Sequence, residues 1–145
     1  MLPLNVSLLA RAFVVLWFAV GGVGHFMATD FFVGITPPWV PYPTEVIWAS
    51  GVLELMGAAG LLIPSTRRLA AAGLFVLTLA VTPANIHMVM HPDLFPQFPL
   101  ALLYVRLVVQ VFLLVCIVKA AGLDCVGSSP AGDRSPCPSP KASKP

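Results

Sequence analysis

At 145 residues, 58% hydrophobic and only 10% charged, the chain has too few ionisable side chains to clothe a soluble domain. Its mean hydropathy of +0.91 points to a bilayer instead. The net charge of +2 is modest, and nothing in the sequence suggests nucleic acid as a partner.

Four segments reach the roughly 20 mostly apolar residues that a membrane-spanning helix needs: 4–27, 46–63, 69–90 and 100–119. They predict an all-α fold, an integral membrane antiparallel four-helix bundle filling residues 1–120. The first span carries Arg11 near its start and "VGGVGHF" near its end. Its apolar run is too long for an ordinary secretory signal and "FAVGGVGHF" makes a poor cleavage site, so it is read as a retained span.

The following connection, 28–45, holds no Lys or Arg. Its "TPPWVPYP" has four prolines, which rule out regular helix, and aromatics suited to the headgroup level, so an ordered cap is expected. Arg67 and Arg68 fill the short link between spans two and three, and Lys119, Arg134, Lys141 and Lys144 follow span four. The connection 91–99 again lacks basic residues. By the positive-inside bias, both termini are cytoplasmic and the two unbasic loops face out, in a multi-pass protein of the plasma membrane. Phe31, Phe32, Trp39, Tyr42, Trp48, Phe95, Phe98 and Tyr104 fall near the outer interface on this reading. The tail, 121–145, is rich in Pro, Ser and Gly and is expected to be disordered.

Several polar residues lie inside these spans. Glu54 sits in "SGVLELMGAAGLLIP", about eight residues or roughly 12 Å below the outer end of span two. At helical steps around it come Ile47, Ser50, Gly51, Gly57, Ala58 and Leu61, mostly small, so this face should pack against other helices and point the carboxylate inward. An ionised carboxylate there needs a partner. Arg106 in span four lies at similar depth, with Gln110 one turn further on the same face. A Glu54–Arg106 ion pair, with Gln110 bonding a remaining lone pair, is therefore expected.

Span three contains "TPANIHM", in which Pro83 predicts a kink, and Thr78, Thr82 and Asn85 share a face able to bond across helices. His87 is about 200° round from Asn85, so both face the centre only if the kink reorients the last turns. His25 closes the set from span one. Glu54, Arg106, Gln110, Asn85 and His25 thus come from four helices and share one half of the membrane. They form either polar glue that satisfies itself or a small polar pocket.

Cys116, Cys125 and Cys137 form no CxxC pair, so free thiols are expected and relay of disulfides to quinone is disfavoured. His87 and His91 are one turn apart, but no acidic or cysteine ligand flanks them and His91 precedes Pro92. They are read as interfacial, with no metal site, no haem and no other cofactor evident.

"GVGHF", "PPWVPYP", "SGVLELMGAAGLLIPSTRRLAAAGL" and "PANIHM" together resemble the DoxX family of small four-helix membrane proteins, over about residues 8–118. The resemblance implies a subunit of a membrane redox system, with quinone as ligand and a redox partner protein as electron source. Its polar pocket would then place Arg106 on a quinone carbonyl and leave Glu54 or His25 to handle protons. The rival expectation is a non-enzymatic scaffold, or a carrier that takes a small apolar solute or a membrane lipid into the same pocket. No catalytic residue transfers from the family.

Overall fold

The computed structural model describes residues 6–122. Residues 1–5 and 123–145 lie outside the described residues, and with them most of the expected disordered tail and Cys125 and Cys137. The described residues are all-α and include four helices long and apolar enough to span a bilayer, as in a multi-pass membrane protein.

Helix α1 (Val6–Met27) forms the first span and α3 (Pro43–Leu62) the second. The third is split into α4 (Arg67–Ala80) and α5 (Thr82–Met90), and α6 (Leu100–Ala120) is the fourth. The remaining helix, α2 (Thr29–Gly34), is six residues of the first loop that the sequence reading leaves unassigned. It abuts the last turn of α1, where Thr29 Oγ1 donates to the His25 carbonyl at 2.8 Å and accepts from Trp48 Nε1 at 3.2 Å. Pro43 opens α3, where a missing N–H costs nothing. Tyr42 before it sits at a φ of 50°, a left-handed backbone that costs a non-glycine residue about 1 kcal/mol.

Around the bundle, α1 packs against α3 and α6, while α4 packs against α3 and α6. This leaves α3 and α6 diagonally opposed. The α1–α3 contact is close because Gly22 and Gly51 face each other. A Cβ on either would meet the other's carbonyl oxygen at 3.0 Å.

Two apolar cores result. One fills the half of the membrane that carries Arg11 and Arg67, with Val14, Phe18, Leu61, Leu74, Leu113 and Ile117 among its members. A smaller one, at the cap end, joins Ile35, Met88, Phe95 and Leu103, with Phe32 and Phe98 packed on it. Phe32, Phe95 and Phe98 therefore fill a core, whereas Trp39, Tyr42, Trp48 and Tyr104 are exposed as an interfacial girdle requires. The polar residues lie between the two cores.

At the basic end, arginines close helix termini. Arg67 Nε donates to the Leu61 carbonyl at 3.2 Å, and Arg11 Nε reaches the Ala120 carbonyl at 3.3 Å. Both carbonyls belong to last turns, where intrahelical donors run out and a cation suits the helix dipole.

Candidate functional site

Glu54 does not pair with Arg106. Its Oε1 lies 3.3 Å from His25 Nε2 on α1, and the two side chains are 14% and 11% exposed. The reason is azimuth. Glu54 and Arg106 lie on the diagonally opposed helices, while α1 is the immediate neighbour of α3 and approaches closely at Gly21 and Gly22. Gly21 is the residue that admits the carboxylate, since a Cβ there would lie 2.7 Å from Glu54 Oε2. The His25 ring leans on Phe32 with centroids 4.3 Å apart, and its Nδ1 is buried without a partner.

The opposite wall is a relay of donors. Arg106 Nη2 donates to Asn85 Oδ1 at 3.0 Å, and Asn85 Nδ2 donates to Gln110 Oε1 at 2.5 Å. Gln110 Nε2 then donates to the Thr78 carbonyl at 3.0 Å and to Thr82 Oγ1. Gln110 is thus buried against α4 and α5 and bonds nothing on Glu54, contrary to expectation. The Thr78 hydroxyl does not cross between helices either, because it donates to the Leu74 carbonyl of its own helix at 2.7 Å.

The break at Val81 explains this arrangement. Pro83 has no N–H for the preceding turn, so the helix is interrupted, and side chains take up carbonyls near the gap. Asn85 faces the bundle, while His87 is buried toward the cap, edge-on to Trp39 at 4.6 Å and stacked on His91 at 4.4 Å. His91 Nδ1 donates to the His87 carbonyl at 3.1 Å, whereas His87 Nδ1 is buried without a hydrogen-bond partner. Among the described residues no three His, Cys, Asp or Glu side chains converge as a metal ion would need. Cys116 is a buried free thiol.

Between the Glu54–His25 pair and the Arg106–Asn85 pair lies a cavity of about 550 Å3, within the range of small-molecule sites. Apart from those four side chains and Thr36, its lining is mostly apolar, including Trp17, Val20, Ile35 and Met88. A second cavity of about 420 Å3 adjoins it and shares Trp17, Glu54, Val81, Asn85 and Arg106. Gln110 lines the second alone. All five polar residues singled out in the sequence therefore border one or other of two adjoining cavities. Trp17, Gly21 and Val81 were missed. The Gly21–Gly22 pair beside His25 was their only signal, since a tryptophan in an apolar span reads equally well as lipid-facing.

A family model, described as Domain of unknown function (DUF8561), matches residues 13–121. The chain belongs to this family. The matched stretch contains both walls of the cavity, so the site lies within the DUF8561 domain. No curated protein and no solved structure matches the chain significantly.

Proposed function

We propose that this DUF8561 protein is a DoxX-like subunit of a quinone-linked redox system in the plasma membrane, and that its cavity receives the quinone ring. One observation carries the reading. Arg106 has no carboxylate within ion-pair distance among the described residues, and it borders an apolar cavity whose facing wall holds a carboxylate–imidazole pair. A guanidinium has five N–H donors, and Asn85 takes only one bond here, so donors remain for an oxygen of a ligand.

A quinone ring is flat and apolar with carbonyl oxygens at opposite edges. One oxygen accepts from Arg106, and the other faces the Glu54–His25 pair. Reduction to the quinol takes up two electrons and two protons. The electrons come from a partner protein, one proton is held at the Glu54–His25 hydrogen bond next to the ring, and the second is drawn from solvent, since the Arg106 guanidinium keeps its own. The positive-inside bias supports an orientation with the cap end outward and both termini cytoplasmic.

The test is purification in mild detergent, extraction of bound small molecules, and titration with quinones followed through tryptophan fluorescence. Quinone should bind, and Arg106→Gln should weaken it at least about tenfold, the scale of a lost hydrogen bond to a charged donor. Absence of binding would falsify the quinone reading. Flux of a solute in vesicles without redox change would point to a carrier, and a stable protein partner without either would point to a scaffold.

A further inference from the structure

The cavity lining includes side chains that also face the bilayer. Leu16 and Val20 on α1 are 65% and 64% exposed, and Val105 on α6, bordering the second cavity, is 51% exposed. Toward the cap, by contrast, Ile35 and Met88 close the space and are 7% and 1% exposed. The opening is therefore lateral, along the seam of α1 and α6.

That seam is bridged above and below. Toward the basic end, Phe13 and Phe112 meet edge to face at 5.7 Å, beneath which Val14 and Phe18 share a core with Leu113 and Ile117. At the cap end, Phe31 of α2 and Phe98, just ahead of α6, meet edge to face at 5.9 Å and close the seam from above. Between these two aromatic contacts lie the two cavities, whose linings share Trp17 of α1 and Arg106 of α6.

We infer that this gap is a window through which a long-tailed lipophile enters directly from the bilayer. Its polar ring passes between α1 and α6 to Arg106, and its alkyl or isoprenoid tail lies against Trp17 and Val105 and continues into the lipid. A route through the cap is blocked by a core, and a tail sealed inside would need a closed chamber that these exposures do not describe. The inference rests on the quinone reading of the same cavity.

The experiment uses the full chain in nanodiscs and two radiolabelled probes, a tail-less benzoquinone and the same ring with a long isoprenoid tail. Both should bind within about threefold of each other at equal mole fraction in the bilayer, because lipid and cavity solvate a tail alike. Val20→Trp and Val105→Trp, which fill the window, should slow association of the long-tailed probe at least about tenfold. Val23→Trp, on α1 but bordering neither cavity, serves as the control and should leave the rate unchanged. If the tail-less probe binds and the long-tailed one does not, the ring site stands and the window falls. If the long-tailed probe binds but its association rate ignores both substitutions, the window also falls. If neither probe binds wild-type protein, the quinone reading falls and the window with it.

Discussion

His25 and Glu54 each need what the other offers, a donor or acceptor inside an apolar span, and the two glycines beside them let the helices come close enough to supply it. A double-mutant cycle of His25→Ala with Glu54→Gln should therefore show a coupling larger, by about 1 kcal/mol or more, than the cycle of Glu54→Gln with Arg106→Gln. The second pair interacts only across space. Equal couplings would mean that the carboxylate swings to the arginine. Gly21→Ala tests the same contact from its other side. The added methyl meets Glu54 Oε2, so thermal unfolding in detergent should reveal a loss of about 1–3 kcal/mol. Gly73→Ala, where a Cβ meets nothing within 4 Å, should stay within about 1 kcal/mol of wild type.

Among the elements, the spans were legible because length and hydropathy are local properties. The expected 46–63 and 100–119 became Pro43–Leu62 and Leu100–Ala120. The packing face of α3 was legible too, since Ile47, Gly51, Ala58 and Leu61 are the buried residues of that helix. Partnership was not. Depth can be counted along a helix, but which helix stands beside which is set by the assembled bundle, and so Glu54 was assigned to the diagonal neighbour. The six residues of α2 were hidden for a related reason, because so short a helix is held by its contacts and not by its own propensity. The break between α4 and α5 falls beside Pro83, as expected, and Asn85 and His87 stay on different sides of α5, as a two-residue step of about 200° dictates. Pro83→Ala restores a donor to the interrupted turn, so α4 and α5 should join into one continuous helix. Quinone affinity should then fall at least about tenfold while unfolding free energy changes by less than about 1 kcal/mol. Unchanged affinity would show that the cavity does not depend on the break.

For the molecule as a whole, the two loop regions at the cap end lie on one side of the membrane, opposite the link that bears Arg67 and Arg68. In a variant with its native cysteines replaced, an impermeant thiol reagent applied outside intact cells should label Thr36→Cys and Gln97→Cys but not Ser65→Cys. The reverse pattern would invert the assigned orientation. Labelling of all three would contradict the four-span topology itself. The larger core lies at the basic end and the smaller one at the cap end, and the polar-lined cavities lie between them.

The arginine caps have a consequence for how such a chain acquires its form. Arg11 and Arg67 are among the few charges able to set orientation during insertion, and once the helices assemble the same guanidiniums tie off α6 and α3. On the positive-inside reading of the orientation each serves twice, first as a topogenic charge and later in the folded bundle. A substitution at either position therefore cannot separate a sorting defect from a folding defect. Arg68 is exposed and offers the contrast. Arg68→Gln should alter only the topogenic signal, whereas Arg67→Gln should also lower the melting temperature, by an amount matching about 0.3–1 kcal/mol for a lost helix-end cation. A chain built this way resists reversal, because any lineage that moved its positive charges to the other side would have to find new closures for two helix ends.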